Sequence, residues 1–137
     1  MEFFGDTVFV LVTDGGYFPR AKRTIIDLRT IGKWDGDIVL ISIDGDTNQN
    51  FLDFYSVTQK RFPAINEKFE LCKALHYSPF VDTIDGREIS KLNQWEKLHV
   101  FDDWFKQWKR VVFLDAGLRV LHDVHTTILT LDYKDSF

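Results

Sequence analysis

A chain of 137 residues is one domain's worth, long enough to bury roughly two-thirds of its unfolded surface. Apolar residues make up 45% and aromatic ones 15%, a globular composition that excludes a disordered or fibrous chain. A formal charge of -4 argues against the broad basic face that a nucleic-acid partner needs, although 17 scattered lysines and arginines leave room for a local cationic pocket. Cys72 is the single cysteine, so no intrachain disulfide exists, and it reads as a small buried hydrophobe in a reducing compartment. The opening residues carry no basic segment of a signal peptide. The longest apolar run, about residues 8–12, is far short of a membrane span. These features predict a soluble, cytoplasmic chain with no membrane span.

Thr7–Thr13 is β-rich and continuously apolar in its middle, the pattern of a strand buried on both faces of a mostly parallel sheet. Asp14, Gly15 and Gly16 break it, and Pro19 suits an early helical position. A helix is predicted over about 19–30, with Ala21, Ile25 and Leu28 on one side and Gly32 ending it. Residues 37–43 form a second buried strand, closed by Asp44, Gly45 and Asp46. This is a βαβ unit, which is parallel and right-handed almost without exception.

The spacing then predicts short helices over 50–59 and 66–75, the latter with Asn66 as N-cap, and a loop over 78–86. From 88 to about 105, Ile89, Leu92, Trp95, Leu98, Phe101 and Phe105 recur at three- and four-residue steps, which predicts a helix of four to five turns. A third buried strand is expected over 110–115, continuing or restarting at 118–121 after Gly117. Residues 126–137 offer no recognisable closing element, and three parallel strands make a thin domain, so a fold truncated at its C-terminal side is expected.

The third strand ends on a carboxylate, Asp115. In open α/β sheets ligands sit at the carboxyl ends of strands, and an acid placed there can hold a metal or a phosphate partner. Asp14, Gly15 and Gly16 are first of all turn chemistry, but two glycines also let a ligand approach the backbone.

The order of a strand ending in Thr13 and Asp14, a helix, a strand, then Lys97-Leu98-His99 leading to Phe113-Leu114-Asp115-Ala116, resembles the nucleotide-sugar half of the glycogenin-like (family 8) glycosyltransferases. The resemblance spans about residues 7–124, close between 97 and 121 and loose between 44 and 88. It implies a GT-A-type, Rossmann-like three-layer α/β sandwich with a mostly parallel sheet. It also implies a donor that is a nucleotide-diphosphate sugar, a UDP-sugar by family habit, and transfer of the sugar to an acceptor hydroxyl. Carried over residue by residue, Thr13, Asp14 and Tyr17 would touch base and ribose, with Gly15 in the same turn. Lys97 would face the sugar diphosphate, and Asp115 would be the first carboxylate of an Asp-x-Asp metal motif for manganese or magnesium.

The pattern departs at Gly117, which stands where the second carboxylate would be. Hard divalent cations take several oxygen ligands, so that loss weakens the metal site. The family's remaining ligand, a His, and its acceptor-binding parts would fall beyond residue 137. If the strand continued past Gly117, two-residue alternation would put Asp115, Gly117 and Arg119 on one face, and Arg119 would supply part of the metal's charge. The catalytic base and the acceptor are not assigned.

Other groups have plainer readings. His122, Asp123 and His125 are surface residues of a loop before they are a metal cluster. His99 reads as a core histidine, Trp95, Trp104 and Trp108 as helix packing, and Asp102 with Asp103 as a solvated helix face. No Walker loop or cysteine metal spacing is present. Two rivals remain: a non-catalytic binding or assembly module with a degraded metal motif, and a receiver-like domain using Asp14, Asp44 and Asp115 for magnesium.

Overall fold

The computed structural model describes residues 6–14, 16–43, 47–62 and 93–126. The helix expected over 66–75, the loop over 78–86, Cys72, Gly15, Asp44, the side chain of Trp95 and the residues after 126 lie outside them.

Strand β1 (Thr7–Thr13) carries apolar side chains on both faces, and Val8, Phe9, Val10 and Leu11 are completely buried. Each such side chain contributes about 1.5–3 kcal/mol over remaining exposed. Helix α1 (Phe18–Arg29) starts with a proline in its first turn and buries Phe18, Ala21, Thr24, Ile25 and Leu28, the three- and four-residue spacing of one helical face. Strand β2 (Asp37–Ser42) pairs parallel to β1, with Phe9 beside Ile38 and Leu11 beside Leu40.

Helix α2 is confined to Gln49–Phe54, capped by the Asn48 side chain, which accepts from the Phe51 N–H at 3.1 Å. The helix predicted over 50–59 is therefore corrected in its second half. The chain turns at Ser56, whose φ is 55, and Val57–Arg61 becomes strand β3, parallel to β2.

The long helix predicted over 88–105 is also corrected where it is described: two 3-10 helices, Asn93–Phe101 and Asp103–Gln107, take its place. Leu98 and Phe101 repeat every third residue, as a 3-10 helix does. Asp102 interrupts, accepting from the Trp104 N–H at 2.9 Å to start the second helix.

Strand β4 (Arg110–Phe113) is shorter than the buried strand expected over 110–115, is half-buried along its length because it lies at the sheet edge, and pairs parallel to β1 on the side away from β2. Its ladder gains one more bond, from the Leu114 N–H to the Val10 carbonyl at 2.9 Å. No strand follows at 118–121, because the chain turns there: Gly117 takes φ +94 and the Leu118 N–H donates to the Asp115 carbonyl at 3.1 Å.

The sheet is four-stranded and parallel, in the order β3-β2-β1-β4, one strand more than predicted. Its two faces carry separate cores. Phe9, Leu11, Ile38 and Leu40 pack with α1 and Leu52 of α2, while Val8, Val10, Val39 and Ile41 pack with Phe105 of the second 3-10 helix. The result is the expected Rossmann-like α/β arrangement of helix, sheet and helix layers. Among the described residues no helix is long and apolar enough to cross a membrane.

Candidate functional site

Strands β1, β2 and β3 are laid down in one direction across the sheet, and the chain then crosses to place β4 on the other side of β1. The strand order thus reverses between β1 and β4. In parallel α/β sheets this reversal opens a crevice at the carboxyl ends of the two strands, where ligands bind. The residues flanking it are Asp14, Gly16 and Tyr17 after β1, and Leu114 to Gly117 after β4.

The turn after β1 is built by Asp14. Its carbonyl and its Oδ1 both accept from the Tyr17 N–H, at 3.2 and 2.9 Å, an arrangement in which a short acidic side chain imitates a backbone turn. The Tyr17 carbonyl in turn accepts from the Arg20 and Ala21 N–H groups, starting α1. The Tyr17 ring is exposed, and the Arg20 guanidinium carbon lies 5.2 Å from its centroid, a cation–π contact. Thr13 is buried, and its hydroxyl donates to the Asp14 carbonyl at 2.8 Å. Of the predicted base and ribose contacts, Asp14 and Tyr17 border the crevice; Thr13 offers it no exposed side chain.

Across the crevice, Asp115 meets Lys97 from the first 3-10 helix. Lys97 Nζ lies 2.8 Å from Asp115 Oδ1, and the side chains are 39% and 60% exposed. Lys97 also sits 5.7 Å from the centroid of Phe113. The two residues that the family resemblance assigned to the diphosphate and to its metal are therefore in direct contact with each other. An ion pair so open to water is worth about 0–1 kcal/mol, so either partner can be handed to a ligand at little cost.

Segment 115–120 is tied to α1 by that helix's own buried polar groups. Thr24 Oγ1 accepts from the Gly117 N–H at 3.0 Å and donates to the Leu118 carbonyl at 2.7 Å. Asp27 Oδ2 accepts from Arg119 Nε at 2.7 Å and from the Val120 N–H at 3.1 Å. The Arg119 hydrogen bond, aided by Val120, holds the Asp27 carboxyl below its usual range against the opposing effect of burial. Arg119 is thereby engaged with Asp27, and the alternation that was to bring it beside Asp115 is absent because β4 does not extend past Phe113.

Arg20 is the residue that the sequence reading missed. A Cβ built on Gly117 would lie 3.5 Å from Arg20 Cδ, so the stem of Arg20 fills the space beside Gly117. The available signal was its place in the first turn of the helix after the β1 loop, three residues beyond Tyr17.

Among the described residues, those at the crevice do not make up a divalent-metal site. One carboxylate, Asp115, is already bonded to an ammonium group, and Gly117 supplies no oxygen where the motif would need one. Among the described residues no three His, Cys, Asp or Glu side chains come together to hold an ion. At the 122–125 loop, His125 Nδ1 lies 2.8 Å from Asp123 Oδ1, and the His125 ring packs against Trp34 at 5.6 Å. The His125 backbone N–H and ring lower the Asp123 pKa.

A cavity of about 650 Å³ adjoins the site, between the 3-10 helices and β4, lined by Lys97, Val100, Phe105, Trp108, Val111 and Phe113 among others. His99 stacks on Phe62 with centroids 4.7 Å apart, in keeping with a packing role. No protein-family model matches the chain, and no curated protein matches it significantly.

Proposed function

We propose that this chain is the nucleotide-sugar half of a cytoplasmic GT-A-type glycosyltransferase, binding a UDP-sugar in the crevice between the ends of β1 and β4. The observation that carries this reading is the Lys97–Asp115 pair at the end of β4, beside β1 at the reversal of strand order. A diphosphate calls for a cation and a base for a ring surface. Lys97 supplies the first from the β4 side, and Tyr17, with Arg20 against its ring, supplies the second from the β1 turn.

In the transfer, the acceptor hydroxyl oxygen bonds to the anomeric carbon as the bond from that carbon to the β-phosphate oxygen breaks. The electron pair leaves with the diphosphate, and the hydroxyl proton passes to solvent. Fixed positive charge aimed at the departing oxygen is the largest help a protein gives such a step. In this reading Lys97 serves that task, with Asp115 holding its ammonium at 2.8 Å before the donor binds.

Titration calorimetry of the chain with UDP and UDP-sugars tests the reading. Saturable binding is expected; no heat and no shift in melting temperature with any of them would remove it. Gly117 favours a second reading, a module that binds the nucleotide sugar and does not transfer it. Release of UDP from a UDP-sugar in the presence of acceptors separates the two.

A further inference from the structure

We propose, resting on the nucleotide-sugar reading, that the Lys97 ammonium takes the place of the family's divalent cation and that donor binding here is independent of metal. The argument starts from the donor set. Asp115 is the one motif carboxylate, and the cation it holds, at 2.8 Å, is Lys97 Nζ. The second motif position is Gly117, whose N–H is given to Thr24 and whose flank is filled by the Arg20 stem. The Arg20 stem, and among the described residues no second motif acid, lies at that point. With Asp14 in the β1 turn the described charges are two acids and two cations, so Lys97 acts through its position at the strand end and not through a net positive site.

Exposure makes the exchange feasible. Both members of the pair are open to water, so Lys97 can turn from Asp115 to a phosphate oxygen without leaving a buried charge unpaired. Charge-assisted hydrogen bonds to phosphate are about twice as strong as neutral ones. The carboxylate then acts as a positioning group: it holds the ammonium at the strand end before the donor arrives and competes with phosphate for it.

The test is calorimetry of the full chain with UDP and with uridine, once in EDTA and once in manganese chloride. UDP is expected to bind equally in both buffers. Lys97→Met should weaken UDP by roughly tenfold or more and leave uridine unchanged, which a merely structural lysine would not do. Asp115→Asn should tighten UDP by roughly two- to fivefold, because an exposed competitor worth under about 1 kcal/mol is removed.

UDP binding that needs manganese, or that Asp115→Asn abolishes, would overturn the Lys97 proposal and leave the nucleotide-sugar reading standing. No UDP binding in either buffer would end that reading and the proposal with it.

Discussion

The buried carboxylate of Asp27 accepts from both Arg119 Nε and the Val120 N–H, which makes it the anchor of the segment that follows Asp115. Its pKa is lower in the folded chain than in the unfolded one. Its contribution to stability is therefore fully present above the unfolded pKa of about 3.9 and is lost as pH falls through the folded pKa. Asp27→Ala should cost about 2–3 kcal/mol at neutral pH, read as a lower urea midpoint, and that difference from the native chain should shrink on acidification. Arg119→Ala should also lower the midpoint and leave UDP affinity unaltered. Gly36 is a second sensitive position: an added Cβ would clash with the Trp34 ring, which is buried and packed edge-on to Phe9 at 5.0 Å. Gly36→Ala should cost about 1–3 kcal/mol through overpacking, visible in the same denaturation curve.

Arg29 at the end of α1 ties together the two loops that deliver β2 and β3. Its guanidinium donates to the carbonyls of Trp34, Gly36, Tyr55 and Ser56 at 2.7–3.2 Å. The planar fork satisfies four acceptors at once, which a lysine cannot do. Arg29→Ala should cost about 2–4 kcal/mol, and Arg29→Lys should recover little of it in thermal unfolding. This clasp bears on why β3 was misread. Val57–Arg61 is a polar edge strand, and its extended form rests on pairing with β2 and on the Arg29 clasp, both outside any local window. The α1 helix, by contrast, was legible because its start, its apolar face and its end are all written within about fifteen neighbouring residues.

For the molecule as a whole, a ligand that binds only the folded state adds stability in proportion to the logarithm of its concentration. UDP at a hundred times its dissociation constant should add about 2.7 kcal/mol, in EDTA as in manganese, and raise the melting temperature. Because the proposed contacts are exposed charges, that gain should diminish as ionic strength rises. A thermal shift unaffected by salt would place the nucleotide elsewhere than against Lys97 and Arg20.

Strands β1, β2 and β4 and helix α1 could be read from the chain in one dimension. Unbroken runs such as Thr7–Thr13 are tolerable in water only when covered on both faces, and the turn residues between them permit nothing longer. The pairing of Lys97 with Asp115 was not anticipated, since eighteen positions separate them and no periodicity links them; the resemblance gave each a role but did not set one against the other. Folding added what depends on distance: β3 at the sheet edge, Arg20 against Gly117, and Arg119 turned to Asp27. Each of these follows from a partner far along the chain, where burial and hydrogen-bond satisfaction outweigh local preference.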